Sequence, residues 1–497
     1  MLKTTRTLFS EVAIARTDGE LESTLRSCID MVGGLARYIK KTYTVFIKPN
    51  LTAGAPAESG GTTGVGIVEA VVKLVKEVGP ARIIVGEGAG NEIRTAEAFQ
   101  RLGYFDMARR TNVELVDCDN VEYVDVHLKD ALYRETVHLP RIFLESDVFI
   151  NVPALKTHVA CGITVALKNT FGLIPDTDKT EVHRDGALEE CLVDINRIKP
   201  ADLVIVDGRT GAEGVAGGTD FDHPIHANII IVGNDPVAVD TVCTRVMKQN
   251  PRIRYLRWAA QRGIGTDALD YILIRGLNIR DAECPFMTPA QQLMKDSGGK
   301  LRLFDLESCS GCRSIAEGGV YRFARPNVLL ESVDIVYGPG PWDMPVTVNP
   351  RTVLLGDCVR EEYRSRGIWI GGCPPSGRRY YEILDSFDVV CRKCIDLANR
   401  VINSVRDDLS SIRVLAGGRE ILRGSKNLAR MDDYLLAVGD CQQGYCRHHS
   451  HRVRKMTEKN PEDLIEFVSG CPPTIDEIIA GLNALSRRAI QLDKQTV

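Results

Sequence analysis

Up to about residue 280 the chain alternates two hydrophobic patterns. Short apolar runs of strand length, TVFIKP (44–49), ARIIVGEG (81–88), VELVDC (113–118), DVFINVP (147–153), LVIVDG (203–208) and NIIIVG (228–233), are separated by longer stretches of helical period. In VGIVEAVVKLVKEVG (65–79) and DPVAVDTVCTRVMK (235–248) apolar residues recur at steps of three and four, which places them on one face of a helix. Unbroken apolar strands alternating with amphipathic helices predict an α/β layer fold around a mostly parallel sheet.

The pattern changes over NIRDAECPFMTPAQQLMKDSGGKLR (278–302), where two prolines and a Gly-Gly pair interrupt it. Beyond this point strand-like runs resume twice, as NVLLESVDIVYG (327–338) and RTVLLGDC (351–358), then as IRVLAGG (412–418) and YLLAVGDC (434–441). The expected organisation is an α/β domain over 1–295 followed by two small α/β repeats over 300–388 and 389–490.

Composition narrows the setting. Lys plus Arg at 62 against Asp plus Glu at 66 gives a net charge of −4, which provides no electrostatic footprint for nucleic acid. The first twenty residues build no apolar signal core and no run reaches the length of a membrane span, so a cytoplasmic location is expected. In a reducing compartment the 15 cysteines are expected to hold metal rather than form a disulfide framework.

Nine of those cysteines follow residue 308, and their order repeats. A C-x-x-C pair, a Gly-Asp-Cys and a Gly-Cys-Pro-Pro occur as Cys309, Cys312, Cys358 and Cys373, and again as Cys391, Cys394, Cys441 and Cys471, at offsets of 82, 82, 83 and 98 residues. Four thiolates from three loops suit a cubane iron–sulfur cluster, whose irons each take one soft protein ligand. Two [4Fe-4S] clusters are the expected cofactors. The alternatives are one larger bridged cluster shared by the repeats, or a structural zinc in each. An insertion in the second repeat brings in Cys446, which competes with Cys441 as ligand, together with the basic run RHHSHRVRK (447–455).

The first repeat, through LESCSGCRSI (306–315), RPNVLLESVDIVYGP (325–339), VLLGDC (353–358) and IWIGGCPPSGRRYYEIL (368–384), resembles the cluster-bearing domain of nickel–iron hydrogenase small subunits and the related complex I subunit. The second repeat is similar to a diverged copy. The resemblance implies a [4Fe-4S] cluster at the carboxyl edge of a flavodoxin-like half-fold in each repeat. Arg313-Ser314 replaces the acidic residue common after the hydrogenase C-x-x-C pair, and the chain lacks the cysteine pairs that bind nickel and iron in the large subunit. Hydrogen chemistry is therefore not expected.

In the first domain the densest polar constellation is NVPALKTHVACGITVALKNTFG (151–172). Lys156 and Lys168 are candidates to clamp an anionic substrate, and His158 has the proton affinity for acid–base work near neutral pH. Lys48, Asn50, Thr62, Thr63 and Asn169 are the candidate pocket residues; Asp207 and His183 are weaker ones. SGGTTGVGIVEAV (59–71) reads equally as an anion site at a helix start or as capping by Thr62 or Thr63, and GEGAG (86–90) lacks the spacing of a nucleotide loop. This segment, with IKPNL (47–51), GGTTG (60–64) and NDPVAVD (234–240), resembles the domain of unknown function 362 family over about residues 40–275. That family carries no settled chemistry, but its members are often joined to ferredoxin-like cluster domains.

Two functions follow. One is an iron–sulfur oxidoreductase passing electrons between the clusters and an anionic substrate or cofactor in the first domain. The other is a non-catalytic electron-transfer or assembly subunit that docks a larger redox protein. A ferredoxin-like or larger redox partner is expected in either case.

Overall fold

The computed structural model describes residues 9–90, 93–215, 223–250, 252–321, 324, 329, 331–340, 347–387, 412–416, 419–422, 434–438, 465–468, 474–481 and 483–484. By its contacts the chain divides into two units. The first comprises residues up to Gly90, Arg94–Pro289 and the short turn Cys309–Arg313; the second comprises Asn91–Ile93, Ala290–Ser308 and the chain from Ser314 onward.

The first unit contains, in chain order, β1 (Ser10–Arg16), β2 (Thr44–Lys48), β3 (Arg82–Glu87), β4 (Glu114–Asp117), β5 (Tyr123–His127), β6 (Thr136–Pro140), β7 (Val148–Asn151), β8 (Ala154–His158), β9 (Gly162–Thr164), β10 (Leu203–Ala212), β11 (Pro224–Ile225), β12 (Ile229–Gly233) and β13 (Ile272–Gly276). The main sheet runs β13-β1-β12-β10-β7-β2-β3-β4. It is parallel from β10 through β7, β2 and β3 to β4, and again between β1 and β13. β12 lies antiparallel to both of its neighbours, so the sheet is mixed, though largely parallel as its apolar runs predict. Five of the six predicted strand runs contain one of these strands, and the sixth, 203–208, is the start of β10, which continues to Ala212.

β2, β7, β10 and β12 are buried nearly throughout, because helices cover the sheet. The helix Val65–Val78 buries Ile67, Val68, Val71, Val72, Leu74 and Val75, and Gly79 ends it in the left-handed conformation. The helix Pro236–Val246 starts at Asp235, whose carboxylate accepts from the N–H groups of Val237 and Ala238, with Pro236 in the first turn.

The second unit holds β14 (Leu301–Asp305), β15 (Val333–Tyr337), β16 (Val353–Leu355) and β17 (Ile368–Ile370) in a four-stranded parallel sheet whose strands lie in chain order. Its core includes Leu306, Val336, Leu354 and Val359. A further sheet of β18 (Ile412–Ala416), β19 (Arg419–Leu422), β20 (Tyr434–Val438) and β21 (Ile465–Val468) has the order β19-β18-β20-β21 and is antiparallel at β19 alone. Among the described residues no helix is long and apolar enough to cross a membrane.

Candidate functional site

In the parallel part of the first sheet the chain steps from β2 outward to β3 and β4, then returns to the other side of β2 for β7 and β10. The order therefore reverses between β2 and β7, and the crevice beyond the carboxyl ends of these strands is where open α/β sheets place ligands. Lys48 and Asn151 are the last residues of the two strands and pair across them in register. The candidate residues gather at this point.

Lys48, fully buried, forms an ion pair with Glu87 at the end of β3 and donates to the carbonyl of Pro49 at 3.1 Å and to Asn169 Oδ1 at 3.4 Å. The second Glu87 oxygen accepts from Leu51 N at 3.1 Å. Asn169 donates to Asn151 Oδ1 at 2.7 Å, and Asn151 donates to the carbonyl of Ala166 at 2.8 Å. Lys156, 1% exposed, donates to Asn50 Oδ1 at 2.8 Å and to the carbonyl of Gly61 at 2.7 Å. Asn50 N donates to Thr63 Oγ1 at 3.0 Å, and that hydroxyl donates to the carbonyl of Val152 at 2.7 Å.

Lys48, Asn50, Thr63, Lys156 and Asn169 thus sit together, with their polar atoms spent on one another and on backbone. Burial without those partners would cost several kcal/mol per charge, so the network ties the loops after β2, β3 and β7 to each other. Close approach makes this possible at one crossing: a Cβ on Gly88 would lie 2.2 Å from the carbonyl of Gly172, and one on Gly172 would lie 3.0 Å from Lys48 Nζ.

Thr62 and Thr63 do not cap the helix Val65–Val78. Thr62 Oγ1 donates to the carbonyl of Ala55 at 2.7 Å, Gly64 is the N-cap, and the Gly64 N–H is met by Asp207 Oδ2 at 3.0 Å. A carboxylate of the chain itself, held by Arg209 through two contacts of 2.8 Å, already answers the positive end of the helix. Of the two sequence expectations for this segment, capping by Thr62 or Thr63 is not what the helix start shows.

His158 ends β8 and is 6% exposed; its Nδ1 accepts from Ala160 N at 3.0 Å, and Cys161 Sγ lies at 3.5 Å. Burial, followed by the charges of Lys168 and other nearby cations, holds its pKa well below the usual imidazole value, so the ring is neutral at pH 7. Lys168 is partly buried on the short helix Ala166–Asn169, and its ammonium lies 5.6 Å from the centroid of the Phe171 ring. Burial lowers its pKa, and Lys48 and Lys179 add to the effect.

Cys309 immediately precedes the helix Ser310–Val320, four residues beyond β14. Hydrogen bonding from the Cys312 thiol, then from the N–H groups of Cys312 and Gly311, with the charge of Arg254, outweighs burial and brings the Cys309 thiol down to about 5. Glu189, almost fully buried, accepts from Ser310 N at 3.0 Å in the same turn. Cys358 follows β16 and Cys373 follows β17, both exposed. Their loops are laced together: Gly356 N donates to the carbonyl of Ile370 at 2.9 Å, and Gly372 N donates to Asp357 Oδ1 at 2.8 Å. A thiolate at a helix start and thiols on strand-end loops are the donor type a soft metal centre takes. Among the described residues no group of three or more His, Cys, Asp or Glu is placed to hold a metal ion. Cys391, Cys394, Cys441, Cys446 and Cys471 lie outside the described residues.

Sequence reasoning missed Glu87, Asn151 and Glu189. The glutamate of GEGAG becomes the partner of Lys48 only because β3 pairs with β2, a long-range fact without local signal.

Residues 45–245 match the family model described as domain of unknown function (DUF362). The chain is 26% identical over 238 residues to the Thylakoid-associated protein sll1697 of Synechocystis sp. (strain ATCC 27184 / PCC 6803 / Kazusa), covering 47% of this chain and 72% of that protein. Among solved structures, the lactate racemase apoprotein from Thermoanaerobacterium thermosaccharolyticum is similar at 9% identity with a TM-score of 0.29, over 40% of this chain and 50% of that one. The segment at residues 45–245, which contains the buried lysine network, is a DUF362 domain.

Proposed function

We propose that this chain is an iron–sulfur oxidoreductase, carrying clusters in its cysteine repeats and exchanging electrons with an anionic substrate or cofactor at the DUF362 domain. The first ligand set is Cys309, Cys312, Cys358 and Cys373; the second is Cys391, Cys394 and Cys471 with Cys441 or Cys446. A bound [4Fe-4S] cluster supplies one-electron chemistry. The chain's part is to present thiolates, to shield them and to orient the group that reacts.

The observation that carries this reading is the placement of the first-repeat cysteines. Each cysteine-bearing loop follows the carboxyl end of a strand in one parallel sheet, and hydrogen bonding from Cys312 favours the ionised form of Cys309. The flavodoxin-like likeness of the repeats belongs to the same proposal. It rests on the parallel layers, while the sheet's strands follow chain order rather than the 2-1-3-4 order of flavodoxin.

Anaerobic purification with iron and acid-labile sulfide analysis and electron paramagnetic resonance tests it. About eight irons per chain are expected from two cubanes. Zinc in place of iron would overturn the proposal.

The second reading, a non-catalytic electron-transfer subunit, is favoured by one observation: Lys48 and Lys156 direct their ammonium groups to partners inside the domain. The two readings separate when the purified protein is assayed for reduction by dithionite with and without small organic anions. An enzyme changes rate with the anion. A relay subunit changes rate only with a protein partner.

A further inference from the structure

Three nitrogen-bearing side chains of the DUF362 domain stand outside the satisfied network. Lys168 Nζ has no hydrogen-bond acceptor and no carboxylate partner among the described residues; its contact is the Phe171 ring, 5.6 Å away. The imidazole of His183, exposed in the last turn of the helix Asp176–Asp185, meets the same ring edge-on with centroids 5.4 Å apart. His158 is 6% exposed, and because its Nδ1 accepts the Ala160 N–H, the proton of the neutral ring belongs on Nε2, for which the described residues provide no acceptor.

The three are close enough for the charge of Lys168 to act on both histidines. The surrounding cations are provided for. Lys48 has Glu87, Lys179 has Asp176 at 3.1 Å and Asp119 at 3.5 Å, and Arg313 donates to the carbonyl of Ala160 at 3.4 Å. The groups that act on Lys168 itself are the Cys161 thiol, Lys48 and Lys179, and no carboxylate is among them. A half-buried ammonium without a counter-charge among the described residues, beside an imidazole N–H that no described acceptor meets, leaves two donors that a bound anion can take over from water.

We infer that Lys168, His158 and His183 form a subsite, with Phe171 as its apolar wall, that receives the carboxylate of a small organic acid. The single charge of the Lys168 ammonium beside two neutral imidazoles balances one carboxylate group, whereas the two charges on one phosphate dianion would be left under-neutralised. The Phe171 face suits the carbon skeleton next to the carboxylate. This deepens the proposed function, since it rests on the reading that the DUF362 domain holds an anion. It moves the contact from Lys48 and Lys156, which are engaged, to Lys168, which is not.

The test is isothermal titration calorimetry of the full chain, purified anaerobically, with succinate and separately with inorganic phosphate in a carboxylate-free buffer. Saturable succinate binding is expected, weakened by about tenfold or more in Lys168→Met and by about threefold in His183→Gln. Circular dichroism establishes that each variant is folded. If Lys168→Met does not fold, His183→Gln, at an exposed position, carries the test. Absence of succinate binding to the folded wild type, or binding that neither variant weakens, overturns the inference; so does phosphate binding tighter than succinate at the same site. Metal analysis on the same sample separates the two readings. Succinate binding with zinc in place of iron leaves the subsite standing and removes the redox function. Iron without succinate binding does the reverse.

Discussion

At the scale of single residues, the DUF362 domain spends its charged side chains on cohesion. Lys48 and Glu87 are 0% and 2% exposed and form an ion pair, and burial pushes the Glu87 carboxyl up while the Lys48 ammonium opposes it. Removing one partner strands the other charge. Lys48→Met is therefore expected to cost about 3–5 kcal/mol, and the double variant Lys48→Met/Glu87→Gln much less. Urea denaturation of the three proteins checks this, and equal losses in the single and double variants would contradict it. His158 gives a pH signature. Its folded pKa lies well below the ordinary 6.5, so its contribution to stability is complete above pH 6.5 and falls as pH drops, because the unfolded chain takes a proton that the folded ring refuses. Between pH 6.5 and 5.5 the wild type should lose about 1 kcal/mol that His158→Gln does not lose. Parallel urea titrations at the two pH values measure the difference.

At the scale of elements, the strands were legible and their partners were not. The apolar runs at 44–49, 81–88, 113–118, 147–153, 203–208 and 228–233 each carry a strand, and in all but the edge strand β4 burial on both faces leaves a continuous hydrophobic signal. β1 and β13 escaped attention as edge-side strands with exposed positions, and nothing local says that β12 lies antiparallel between β1 and β10. The site shows the same division. Lys48, Asn50, Thr63, Lys156 and Asn169 stand out as polar residues after apolar runs, but their mutual satisfaction depends on how β2, β3 and β7 are ordered. Glycines record that ordering. Gly88→Ala puts a methyl group into the carbonyl of Gly172 and should cost about 1–3 kcal/mol by overpacking. Gly66→Ala, in the first turn of the helix Val65–Val78 with open space at its Cβ, should stabilise by up to about 1 kcal/mol. Thermal unfolding of the two variants should move in opposite directions.

At the scale of the whole molecule, the repeat of cysteines meets a repeat of sheets. β14–β17 form one four-stranded ladder and β18–β21 another, with no strand shared between them. The cysteines of the first set follow strands of the first ladder; in sequence, Cys441 and Cys471 each come three residues after a strand of the second, β20 and β21. If each ladder supports its own ligand set, metal loading is additive, whereas a single bridged cluster would require both sets at once. The full-length double variants Cys309→Ala/Cys312→Ala and Cys391→Ala/Cys394→Ala distinguish these arrangements without removing any part of the fold. Two separate [4Fe-4S] centres predict that each double variant keeps about four irons and that their combination keeps none. Loss of all iron in either double variant alone, measured as iron per chain after anaerobic purification, would replace two clusters with one shared between the repeats.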